Sequence, residues 1–225
     1  DLWIVPADGS APPRRLTAGK GAENGPAWSP DSRRLAFSAK REGDQVNQIY
    51  VLDIAAGGEA VRVTSLETGA QNPQWRPDGK ALSFTSMVGG EAEAAKTRVR
   101  VYEGFPIRHW DRWLDDRRIR LFVQELEGGT ARDLLAGTQL AAGPGFAGSA
   151  TLTGEELAHA WTPDGSGLVF AATENRHQAA WAAVVTSLYH VPAGGGEPRR
   201  LTPPDARYGR PVFAPPPSCA HSPSR

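Results

Sequence analysis

The chain has 225 residues, with 25 lysines and arginines set against 25 aspartates and glutamates, so its formal net charge is zero. That balance argues against phosphate-driven nucleic-acid binding and removes the case for a polybasic membrane surface. No run nears the roughly 18 consecutive apolar residues of a membrane span, and a single cysteine, Cys219, rules out an internal disulfide and a thiolate metal site.

The predicted elements open with Leu2-Trp3-Ile4-Val5, which leads through Asp8-Gly9 to Arg14-Arg15-Leu16-Thr17. Alternating runs rich in β-branched and aromatic residues suit half-buried strands, and Asp-Gly supplies the positive φ of a tight hairpin. A full unit follows near 24–64. It reads Pro-Ala-Trp28-Ser-Pro30-Asp31-Ser, then Leu35-Ala-Phe37, then Ile49-Tyr50-Val51-Leu52, Gly57-Gly58 and Val61-Arg62-Val63-Thr64. A second unit near 71–135 repeats Trp75-Arg-Pro77-Asp78-Gly79 and Leu82-Ser-Phe84, then continues after an insertion at 91–119 with Leu121-Phe122-Val123. A third near 157–202 carries Trp161-Thr-Pro163-Asp164-Gly165, Leu168-Val-Phe170, Leu188-Tyr189-His190-Val191 and Arg199-Arg200-Leu201-Thr202.

Trp75 follows Trp28 by 47 residues, the length of one four-stranded blade, and Trp161 follows Trp75 by 86, a blade plus an insertion. In Pro-Asp-Gly, proline presets φ at the second turn position and glycine closes the turn. The recurring Asp31, Asp78 and Asp164 are expected to cap those turns through their carboxylates. A tryptophan at one place in every unit is expected to fill the space between successive sheets. The fold predicted is all-β: a partial β-propeller of about three full blades with part-blades at both ends, across 1–215.

Pro211-Val212-Phe213-Ala214 begins a further unit, but Pro216-Pro217-Ser-Cys219 cannot pair as a central strand. The expectation is an irregular tail at 216–225, from a gene fragment or a shifted reading frame. The near absence of cysteine tilts the compartment toward the cytoplasm and leaves a periplasmic or secreted residence open.

The Trp-Ser-Pro-Asp and Leu-x-Phe repeat resembles the propeller repeats of TolB and of the prolyl oligopeptidase family. Within the insertion, Arg108-His109-Trp110-Asp111-Arg112-Trp113 is similar to a segment of that family's bacterial acylaminoacyl-peptidase-like members. The resemblance implies a serine peptidase in which a propeller restricts access of short peptides to an α/β-hydrolase domain with a Ser–Asp–His triad. No triad residue carries over, because no Gly-x-Ser-x-Gly occurs; Gly148-Ser149 and Gly165-Ser166-Gly167 both miss the spacing. The implied partners are that hydrolase domain and its peptide substrates, with no cofactor, no nucleic acid and no membrane span. The competing reading is a TolB-like envelope propeller acting as a protein–protein interaction module.

Arg108, Trp110, Asp111 and Trp113 are the candidate substrate-gating residues. Arg108 would take a peptide carboxylate and the tryptophans would line the cavity mouth, though packing and an Asp111–arginine pair are the plainer reading. Glu155-Glu156 resembles the paired glutamates that hold a substrate amino terminus in related dipeptidyl peptidases; solvated carboxylates at a strand start are the plainer account. His159 and His190 read as ordinary sheet residues, and Arg117-Arg118-x-Arg120 with Asp115-Asp116 as a solvated mixed-charge loop.

Overall fold

A computed structural model describes residues 1–19, 21–54, 56–89, 107–109, 112–113, 117–151 and 154–214. A two-stranded ribbon comes first, β1 (Trp3–Ile4) with β2 (Arg14–Arg15). Blade one is β3 (Glu23–Trp28), β4 (Arg34–Ala39), β5 (Gln48–Asp53) and β6 (Val61–Arg62). Blade two starts with β7 (Gln71–Trp75) and β8 (Ala81–Val88). After a hairpin, β9 (Arg108–His109) with β10 (Arg112–Trp113), it ends with β11 (Arg118–Glu125) and β12 (Arg132–Asp133). One helical turn, α1 (Gln139–Ala142), and a second hairpin, β13 (Ser149–Thr151) with β14 (Gly154–Glu156), lead onward. Blade three is β15 (His159–Trp161), β16 (Gly167–Ala172), β17 (Ser187–Pro192) and β18 (Arg199–Arg200).

Within each blade every strand pairs antiparallel with the next, giving three four-stranded sheets and no closed barrel among the described residues. This is the partial all-β propeller that the repeat predicts.

The Leu-x-Phe spacing explains how sheets stack. Period-2 alternation sends the leucine and phenylalanine to one face and the small residue between them to the other. Phe37, Tyr50 and Leu52 of blade one pack with Leu2 and Leu16 of the ribbon. Its opposite face offers Ala36 and Ile49 to Leu82, Phe84 and Phe122 of blade two. Blade two in turn offers Ala81, Leu121 and Val123 to Leu168, Phe170 and Tyr189 of blade three. Each phenylalanine also stacks on the aromatic opposite it in the third strand. Phe37–Tyr50, Phe84–Phe122 and Phe170–Tyr189 have ring centroids 6.2, 5.8 and 5.6 Å apart, and such pairs add about 1 kcal/mol beyond area burial.

The Leu-Thr and Val-Thr dipeptides close the outer edge. Thr17, Thr64 and Thr202, each just past a fourth strand, accept at Oγ1 from the amides of Leu2, Ile49 and Leu188 at 2.8, 2.8 and 3.0 Å.

One charged segment departs from expectation. Arg118 and Arg120 lie in β11 and not in a solvated loop. The Arg120 side chain is largely buried, 3.7 Å from Asp133 and over the Phe146 ring at 5.4 Å. Strand pairing with β8 draws it into the sheet. Burial lowers the pKa of this guanidinium and raises that of Asp133.

Candidate functional site

The repeat residues meet at the joints between blades. The Trp75 indole N–H donates to the Ala27 carbonyl of blade one at 2.9 Å, and Trp161 donates to the Gln74 carbonyl of blade two at 3.3 Å. Both rings are buried. Trp28 departs from the expectation, since it is 47% exposed.

The turns carrying Pro30, Pro77 and Pro163 share one hydrogen-bond scheme. Asp31, Asp78 and Asp164 accept from the amides of Arg33, Lys80 and Ser166 at 3.1, 2.9 and 3.0 Å. A hydrogen bond from the Ser29 hydroxyl holds the Asp31 carboxyl below its usual range. Hydrogen bonding from Arg76 lowers that of Asp78. The Thr162 hydroxyl, with Ser166, takes Asp164 down to about 2. Gly79 and Gly165 close their turns at φ +70, and Ser32 adopts φ +57 in the glycine's place.

First strands line the inner edge of the arc. Gly25 and Asn72 take φ +61 and +53, each just before a proline, where β3 and β7 shift register against their partners. These bulges bend the strand and re-aim its side chains. Arg210, before Pro211, repeats the feature at φ +47. The Gly-Pro, Asn-Pro and Arg-Pro dipeptides two residues ahead of Trp28, Trp75 and Phe213 were the sequence signal for it.

A cleft of about 270 Å³ opens here, lined among others by Gly25, Asn72, Gln74, Glu156 and Arg210. Arg210 stands 4.0 Å from Glu156. Glu155, its neighbour in β14, points elsewhere: it pairs with Arg176 and accepts from the Gly148 amide at 3.3 Å. The two glutamates therefore do not act on one point.

His159 closes the floor of the inner edge. Its Nδ1–H donates to the Leu157 carbonyl at 3.0 Å, so Nε2 is the acceptor and takes the Ser83 hydroxyl at 3.0 Å. Burial lowers its pKa to about 4, so the ring is neutral at pH 7. Serine and imidazole are in hydrogen-bond reach, as a nucleophile and base would be. Ser83 is fully buried, however, which leaves no room for a substrate carbonyl. The pair ties β8 to β15. His190 lies in β17, half-buried.

In the insertion, β9 and β10 form a hairpin with Arg112 opposite His109 and Trp113 opposite Arg108. Arg108 is exposed. Trp110, Asp111, Asp115, Asp116 and the tail at 216–225 lie outside the described residues. Among the described residues no group of three His, Cys, Asp or Glu side chains could hold a metal ion, and no helix is long and apolar enough to cross a membrane.

Residues 1–103 match the TolB beta propeller domain family. Over 71 residues the chain is 39% identical to "Uncharacterized peptidase YuxL" of Bacillus subtilis, a match that covers 31% of this chain and 10% of that protein. Among solved structures, TolB from Acinetobacter baumannii superposes with a TM-score of 0.57 at 20% identity, over 92% of this chain and 39% of that one. The acylaminoacyl peptidase of Pyrococcus horikoshii gives 0.53 at 16% identity, over 88% of this chain and 26% of that one. The chain thus spans about a tenth of the peptidase it matches in sequence and well under half of these two structures. At these identities the superpositions establish the fold.

Proposed function

We propose that these blades are the non-catalytic propeller portion of a prolyl-oligopeptidase-family serine peptidase, gating short peptides toward an α/β-hydrolase domain. The observation that carries the reading is the 39% identity to a peptidase over 71 residues. Several features support it. The inner-edge cleft joins a carboxylate, a guanidinium and amide groups, a set suited to the backbone and termini of an extended peptide. The only described serine–histidine contact at that edge is sealed from solvent and joins two blades. Arg108, Trp110, Asp111 and Trp113 are proposed to sit along the approach, and residues 1–215 to act as one propeller unit.

The test is made in the parent protein. Deleting these blades is expected to leave cleavage of a short chromogenic peptide and to admit unfolded protein substrates that the intact protein excludes. Unchanged discrimination between the two substrates would overturn the gating role.

The match of residues 1–103 to the TolB family favours a second reading, an interaction module that binds another protein through its blade surface. Under it the parent protein would take no serine-hydrolase probe and would capture a protein partner.

A further inference from the structure

Gly25, Asn72 and Arg210 occupy one repeat position on the inner edge, each before a proline and each at positive φ, +61, +53 and +47. Glycine has no Cβ to clash there, and asparagine tolerates the left-handed region. Arginine has neither advantage. A left-handed backbone at such a residue is a cost to the fold, and outliers of this kind cluster where a side chain is held for a ligand.

The Arg210 side chain does not offset that cost within the fold. It is 87% exposed, its guanidinium makes no hydrogen bond to a described residue, and its ion pair with Glu156 is 4.0 Å long. Other arginines near the joints are held. Arg76 makes a bidentate pair with Glu125. Arg34 donates to the Gly79 carbonyl while lying over the Trp75 ring, and Arg207 donates to the Val184 carbonyl. Arg210 instead lines the cleft of about 270 Å³ that also holds Asn72, Gln74 and Glu156. His159 is neutral, so among the described residues lining that cleft Arg210 supplies the cation and Glu156 the carboxylate.

We infer that Arg210 makes this cleft selective for carboxylate-bearing peptides, the guanidinium taking the carboxylate in bidentate fashion as Glu156 gives way to it. The inference rests on the proposal that the cleft receives peptides, and it adds which ones. A guanidinium matches a carboxylate with two parallel N–H···O bonds, whereas the contact with Glu156 is too long for one. The side-chain amides of Asn72 and Gln74 serve the peptide backbone. An ammonium ligand held by Glu156 would need no strained arginine beside it. The carboxylate can come from a chain terminus or from an acidic side chain, since the guanidinium reads only its shape and charge.

The test is peptide binding to the full chain, followed by NMR titration, with the Arg210 side-chain signal assigned by its loss in Arg210→Gly. The probes are acetyl-tetraalanine with a free carboxylate, the same peptide amidated, and amidated acetyl-Ala-Glu-Ala-Ala. The free-acid probe, the glutamate probe or both are expected to bind at least about tenfold more tightly than the neutral one, as a charge-assisted pair gives. The arm that does so identifies the source of the carboxylate. Arg210→Ala keeps the backbone cost and removes the charge, while Arg210→Gly removes both; each is expected to erase the preference. Arg210→Gly should do so with a thermal midpoint no lower than that of the wild type. Glu156→Gln removes the competing carboxylate and should tighten binding about two- to fivefold. Equal binding of charged and neutral probes, or none, would overturn the inference. So would a preference that survives Arg210→Gly, or a midpoint that falls with it and marks a structural arginine. Binding is read on this chain alone, so failure here leaves the gating reading to its own test, the blade deletion in the parent protein. Failure of that deletion leaves a carboxylate preference still measurable here.

Discussion

Acidification should loosen the joint between blades two and three through one residue. In the fold His159 has a pKa lowered to about 4 by burial, against 6.5 for the free side chain. Between those values the unfolded chain binds a proton that the folded chain refuses, so the stability His159 contributes is intact above about pH 6.5 and is lost as pH falls. Each pH unit in that window removes up to about 1.4 kcal/mol, so the loss approaches the order of 3 kcal/mol near pH 4. Other groups act differently. Asp31, Asp44, Asp78 and Asp164 are held below the usual carboxylate range, so their contribution is lost only as pH falls below about 4. Asp133, raised by burial, works in the opposite sense, gaining stability as pH falls through its folded value. His159→Asn isolates the histidine, since its amide does not titrate. Urea unfolding of both proteins between about pH 7 and pH 4.5 should show a steeper loss in the wild type. Parallel profiles would refute the assignment of a neutral, desolvated His159.

Trp161→Phe removes the N–H bond to the Gln74 carbonyl and leaves a cavity where the buried indole packed; it is expected to cost roughly 2–3 kcal/mol in chemical denaturation, whereas Trp28→Phe, at a 47% exposed ring with no hydrogen bond to a described residue, should cost well under half of that. Ser32→Gly relieves the positive φ at the first turn and should stabilise by about 0.5–1 kcal/mol, read as a raised unfolding midpoint; Gly79→Ser should do the reverse. If the parent protein is the proposed peptidase, Arg108→Ala in it should raise KM for peptides with a free terminal carboxylate and leave amidated ones unchanged.

The fold was legible because its signals are local. Trp-x-Pro-Asp-Gly writes a turn in consecutive residues, and Leu-x-Phe writes a sheet face in three, so copies of both announce stacked sheets. What escaped depends on partners far along the chain. Ser83 and His159 meet across 76 residues, and neither residue type signals a joint where it stands. Glu155 and Glu156 are adjacent in sequence, yet strand alternation sends them to Arg176 and Arg210 respectively. Arg120 looked solvated among charges, but β11 extends through it and buries its stem against Phe146. The buried tryptophan pattern was readable, while the exposure of Trp28 was not, because exposure depends on which strands stand next to the ring.

The proposed role of these blades is to select substrates without performing chemistry. The most direct measurement compares kcat/KM for a short chromogenic peptide and for an unfolded protein, in the parent protein with and without residues 1–214, alongside serine-hydrolase probe labelling of the isolated chain. Gating predicts that removal of the blades raises turnover of the unfolded protein relative to the short peptide, and that the isolated chain takes no label. A labelled chain, or a substrate ratio unmoved by the deletion, would contradict it.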